Sequence, residues 1–200
     1  MFLYGTNAGI LRSWLMAYDV VDEAMLPPFG LSASEIDAVT TASSQDLHDW
    51  SGLATPLVRP RMGLLRALRH NLEGEIVGFI ADGRTPASGP TVHRLPRSLN
   101  RLVLETWCAA IHGGEKLSRF ELDTDEIGIL DQLSPQRLNE WSRFPVAIAV
   151  PKPGLIRALR CNDSATLFAF VKPCVDEPQH AQLAPAHRRP HAARRRLRRR

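Results

Sequence analysis

The chain has little cysteine, few aromatic residues and no long apolar run. Only three cysteines occur among 200 residues, Cys108, Cys161 and Cys174, and none belongs to a C-x-x-C pair. That excludes a zinc knuckle and a disulfide framework, and it fits a reducing, cytoplasmic compartment. A hydropathic membrane span of about 18 consecutive apolar residues is absent. Met1 to Leu15, with Arg12 breaking its apolar run, is too polar and too short to read as a signal peptide. Aromatics make up 6% of the chain and prolines number 15, which argues against a coiled coil or a bundle of long helices. No H-E-x-x-H, G-x-S-x-G or glycine-rich phosphate loop occurs. The sequence therefore points to no enzyme, no cofactor and no metal.

What is present is an ordinary globular composition, 44% hydrophobic and 23% charged, with an uneven distribution of charge. The formal net charge is +4, which by itself suggests a nucleic-acid partner. Eight arginines, however, lie between Arg188 and Arg200; the other 17 basic residues face 21 acidic ones, a net of −4. The positive field belongs to the tail and not to the body of the protein.

An internal repeat organises that body. Trp50 to Asn71 (WSGLATPLVRPRMGLLRALRHN) and Trp141 to Asn162 (WSRFPVAIAVPKPGLIRALRCN) align without a gap at a separation of 91 residues. From Phe29 to Asn71, 17 of 43 positions are identical under this register. The match continues in character over Glu75–Ile80 and Thr166–Val171, and the same register places Leu11 over Leu102 in two apolar, helical stretches. The expected organisation is a first unit at 1–81, a linker at 82–91, a second unit at 92–174 and a disordered, Arg-rich tail at 175–200.

Helical spacing of apolar residues runs from Thr6 to Met25, ahead of Pro27-Pro28, and its counterpart runs from Leu99 to Ile111 before Gly113-Gly114. Ser32-x-x-Glu35 and Asp123-x-x-Glu126 are capping boxes that open short helices. Ser134-Pro135 opens another over Gln136 to Arg143, matched by Gln45 to Trp50. Leu57–Pro60 and Ala147–Pro151 are short β-like runs that proline ends, and Gly63 and Gly154 each precede a leucine-bearing helix. The fold class is mainly α, with a short strand in each of two tandem units.

Trp50 and Trp141 read as core anchors, together with Leu64, Leu68, Leu155 and Leu159. Cys108 reads as packed rather than reactive. The histidines read as surface residues. Arg59, Arg61 and Lys152 flank the strands, while Arg66/Arg69 and Arg157/Arg160 share a helix face by their spacing of three. These are candidate DNA or partner contacts, along with Arg137 and the tail's Arg194, Arg195 and Arg196. The plainer alternative for the repeated arginines is a solvated face with local ion pairs. Asp125–Leu130 and Pro135–Trp141 also have the order of a helix-turn-helix, although the connection lacks the glycine common there and Glu140 stands beside Arg137.

The sequence of elements, with Leu133-Ser134-Pro135-Gln136-Arg137-Leu138 and the run from Leu57-Val58-Arg59-Pro60-Arg61 through Leu68, resembles FlhD, the flagellar master-regulator subunit, and its relatives on conjugative and integrative elements. The resemblance covers most of each unit. It implies a helical dimerising subunit that joins an FlhC-like partner, which carries the zinc cysteines, to activate transcription on DNA. Two departures stand out: neither strand has the cysteine that bridges the FlhD dimer, and this chain has two units where FlhD has one. Both are met if the chain forms an intramolecular pseudo-dimer. The alternatives are a direct helix-turn-helix-like DNA-binding protein and a protein–protein interaction module without a nucleic-acid role.

Overall fold

Each short helix begins where a side chain can accept from the backbone N–H groups that have no intrahelical partner. In the computed structural model, which describes residues 2–20, 29–82 and 95–171, Ser32 and Asp123 close the two expected capping boxes with Glu35 and Glu126. Ser43 and Asp46 form a third, and Ser134 accepts from the Arg137 N–H ahead of Pro135. The resulting helices are α2 (Ala33–Thr40), α3 (Ser44–Ser51), α7 (Thr124–Asp131) and α8 (Pro135–Ser142).

Two long helices, α1 (Phe2–Val20) and α6 (Leu95–His112), form the frame. After α3 and α8 come strands β1 (Val58–Pro60) and β2 (Ala149–Pro151), followed by α4 (Leu64–His70) with α5 (Glu73–Asp82) and α9 (Leu155–Arg160) with α10 (Ser164–Val171). A 3-10 turn at Leu117–Phe120 links α6 to α7. The protein is thus mainly helical, with one small two-stranded sheet. Gly63 and Gly154 both take φ of 79° immediately before α4 and α9, a conformation that costs glycine little and any other residue more.

The strands pair antiparallel with each other, Arg59 opposite Val150 at the centre and Val58 and Pro60 opposite Pro151 and Ala149. The ladder extends at both ends: Arg61 N–H donates to Ile148 O (2.8 Å) and Lys152 N–H to Leu57 O (3.0 Å). Helix packing across the halves is reciprocal in the same way, since α2 packs on α9 while α4 packs on α7, and α1 crosses α6. At that crossing Gly9 faces Leu102, and a Cβ on Gly9 would lie 2.6 Å from Leu102 Cδ2. Thr6 and Thr106 meet there through their hydroxyls, 3.2 Å apart.

One apolar cluster runs through both halves. Trp14 and Trp107 are its largest fully buried side chains, and Trp50, Leu64, Leu68, Trp141 and Leu155 are buried as well, while Leu159 packs against it half-buried. Two asparagines sit inside it, fully buried. Asn7 donates to Leu53 O and Thr55 O and accepts from Leu57 N–H (3.1 Å). Asn100 donates to Phe144 O and Val146 O and accepts from Ile148 N–H (2.8 Å). Each therefore satisfies its own amide and fixes the chain leading into a strand.

These asparagines correct the alignment of the long helices. They are 93 residues apart, as are Trp14 and Trp107, so Leu11 corresponds to Leu104 and not to Leu102. The first unit holds two more residues than the second between helix and Phe29 or Phe120. Because 21–28 lie outside the described residues, so does the expected helix stop at Pro27-Pro28. The linker beyond Asp82 and the tail at 175–200 also lie outside them.

Candidate interaction surfaces

The strand-flanking cations are not alike. Lys152 is buried, with Nζ donating to Thr55 Oγ1 (2.9 Å) and Arg119 O (2.7 Å) and pairing with Glu121 Oε1 at 3.1 Å. It ties the second strand to the turn before α7 and is no surface contact. Arg61, its counterpart, is half-buried and donates from Nε to Ala147 O (3.0 Å). Burial pulls its guanidinium below the ordinary arginine value, opposed by the charge of Asp82. Arg59 is half-buried as well, and its Nε is sequestered without a hydrogen-bond partner. Glu121 stands where the first half has Gly30, and both backbones are left-handed, with φ of 55° and 70°.

Arg66, Arg157 and Arg160 are exposed, and Arg69 is half-buried with Nη2 donating to Gln132 Oε1 (3.2 Å). Arg66 and Arg69 line a groove of about 350 Å³ between α4 and α7, together with His70. Its opposite wall is built from Gly128, Ile129 and Gln132, with Thr124 and Asp125 at the start of α7. On the twin face, the Asp46 carboxylate is held below its usual range chiefly by the Ser43 hydroxyl and N–H, with a smaller contribution from Arg160. At the position of Asp46, α8 carries Arg137, half-buried and with Nη1 sequestered without a partner.

In the helix-turn-helix-like pair, α7 and α8 both pack on α6. The exposed Gln136 of α8 donates its amide to Glu140 (3.1 Å), so this side chain is tied to its own helix. Arg194, Arg195 and Arg196 lie outside the described residues.

Among the described residues, large apolar side chains are exposed on α1 (Tyr4, Met16, Tyr18), in the turn before α4 (Met62), and on α5 and α10. Neither α5 nor α10 contains a buried residue, although α5 reads EGEIVGFIAD and α10 reads SATLFAFV. Val77 and Phe168 are each 63% exposed, while Ile76, Phe79, Ile80, Leu167 and Phe170 are half-buried against the core. These two helices occupy equivalent places after α4 and α9. Composition reveals their apolar character but not their exposure, which follows only from what covers them.

Among the described residues, no group of three or more His, Cys, Asp and Glu side chains could hold a metal ion, and no helix is long and apolar enough to cross a membrane. Cys108 is half-buried on α6, where burial raises its thiol pKa, and Cys161 is exposed. The chain matches no protein-family model, no curated protein and no solved structure.

Proposed function

We propose that this chain is a non-enzymatic regulatory adaptor of transcription, FlhD-like, that carries both halves of a dimer in one polypeptide and joins an FlhC-like partner on DNA. The observation that carries the reading is reciprocity. β1 pairs with β2 about Arg59 and Val150, positions 91 residues apart and equivalent in the repeat. The α2–α9 contact recurs as α7–α4. An isologous two-fold interface has this property, residue i meeting j while j meets i. It supports an intramolecular pseudo-dimer in which the linker takes the place of a bridge between chains.

The exposed Val77 of α5 and Phe168 of α10, on helices that bury no residue, support protein partnership, since uncovered apolar surface marks sites of association. Nucleic-acid contact, on this reading, falls to the tail arginines, acting on phosphates without reading sequence. Light scattering after size exclusion should give a particle of 22.3 kDa. A stable homodimer built through the same interfaces argues against the pseudo-dimer. Co-expression with an FlhC-like, cysteine-rich protein should yield a stable complex, and consistent failure to co-purify counts against the adaptor.

A further inference from the structure

The two halves differ in charge at a place where their packing is alike. α2 on α9 and α7 on α4 are the same contact, yet the residues around it carry different charge. At two positions where α2 and α3 present acids, Asp37 and Asp46, the second half has Gly128 and Arg137. His70 of α4 stands where α9 has Cys161. Asp46 supplies a carboxylate to Arg160 of the α9 face, whereas on the α4 side the acids of α7 stand at its two ends, Asp123, Asp125 and Asp131 where the first half has Ser32, Ser34 and Thr40, and its middle is left uncharged at Gly128. A groove of about 350 Å³ lies beside Arg66, Arg69 and His70. Gly128 helps form it, because a Cβ there would have nothing within 4 Å.

We propose that the groove between α4 and α7 binds an acidic peptide segment of a partner protein, one carboxylate entering beside Arg66 and Arg69 in the space that Gly128 leaves open. This deepens the adaptor reading and rests on it. The wall opposite the arginines fits a peptide: Ile129 offers an apolar patch, Gln132 an amide and Asp125 an acceptor for backbone N–H. Asp123, Asp125 and Asp131 at the two ends of α7 repel a polyanion such as duplex DNA more than they repel a single side chain. The chain's own extension past Val171 is an unsuitable occupant, with two acids, Asp176 and Glu177, against eight arginines in its last thirteen positions. The volume suits a few side chains, at the low end of the ~300–1,000 Å³ usual for ligand clefts.

The test is a titration of the full chain, isotope-labelled for NMR, with the capped peptide Gly-Glu-Leu-Glu-Gly at physiological salt. Saturable shifts confined to the amides around Arg66, Arg69, Gly128 and Gln132 are expected. Gly128→Asp, which installs the residue of the twin helix at an open and exposed position, should weaken binding by about tenfold or more. Gly128→Ala controls for the backbone and should bind like the parent chain. Absence of saturable shifts, equal binding by Gly128→Asp, or shifts spread over all arginines overturns the proposal. So does a fluorescein-labelled DNA duplex that displaces the peptide from this groove. A Gly128→Asp chain that still forms the FlhC-like complex at full affinity overturns the groove while leaving the adaptor intact; absence of any complex with the parent chain removes the adaptor itself.

Discussion

Arg59 and Val150 face each other across the two-stranded ladder, and each is the other's counterpart in the repeat, 91 residues away. Gly9 and Leu102, 93 residues apart, do the same where α1 crosses α6. Two elements far apart in sequence thus meet at equivalent points. At both points the equivalent residues differ in size and polarity, arginine against valine and glycine against leucine.

The Gly9 contact gives a packing prediction. Gly9→Leu adds a side chain where Leu102 already fills the space, and overpacking of this kind costs about 1–3 kcal/mol. Leu102→Ala should then recover much of the loss in the double variant, because the residues share one space. Urea unfolding of the four chains measures the coupling, and strictly additive effects would sink the assignment of this pair.

The buried asparagines should be among the least replaceable residues. Asn7→Ala or Asn100→Ala strands two carbonyls and one N–H beside a strand, each unsatisfied buried group costing about 1–3 kcal/mol. Either change should lower stability severalfold more than Gln45→Ala, whose amide bonds Asp49 on an exposed helix face. Chemical denaturation monitored by circular dichroism would show this, and near-equal midpoints would contradict it.

Glu121 combines an ion pair with a left-handed backbone. Removal of the carboxylate by Glu121→Ala loses the pair with Lys152 and keeps the φ of 55°. Glu121→Gly, the residue type of Gly30, loses the same pair but releases the backbone, and should be more stable than the alanine variant by about 1 kcal/mol. Thermal unfolding of the two variants decides the point; an alanine variant at least as stable as the glycine one would refute it.

Glu126 supplies a pH dependence. Burial raises its carboxyl above the ordinary glutamate value, with hydrogen bonding from the Asp123 N–H opposing the shift. A carboxyl raised on folding binds its proton more tightly in the native state, so its contribution is present below the unfolded value and is lost as pH rises through the folded one. Glu126→Gln keeps the capping box and removes the titration. Relative to that variant, the parent chain should lose stability as pH rises across the mildly acidic range, as measured by urea midpoints at successive pH values. A constant difference would disprove the assignment.

The tail gives a separable prediction for DNA. Deletion of residues 186–200 removes all eight tail arginines and should abolish the salt-dependent, sequence-independent part of duplex binding. Fluorescence anisotropy across a salt series tests it. A truncated chain with undiminished affinity and sequence preference would favour base reading by the folded units.

Much of the local structure was legible in the chain. The capping boxes at Ser32 and Asp123 and the Ser134-Pro135 start act within a few residues, so their geometry follows from short-range hydrogen bonding. The buried tryptophans were legible for a similar reason, since apolar periodicity is a local property. Asn7 and Asn100 were not: a polar residue in an apolar helix shows its role only when the carbonyls it satisfies, 44 to 48 residues on in chain order, arrive beside it. The same holds for Lys152, which as a sequence position looked like a surface cation and in the fold is enclosed by Thr55, Arg119 and Glu121.

What the sequence determined by itself was the repeat, the helix starts and the segregation of positive charge to the tail, all of which depend on composition and neighbouring residues. Only the tertiary structure decided which strand pairs with which, how the long helices align, and that the arginines of α4 meet α7 to line a groove. Those outcomes depend on contacts across the whole chain, where a single glycine in place of an aspartate changes both the space and the charge that a face presents.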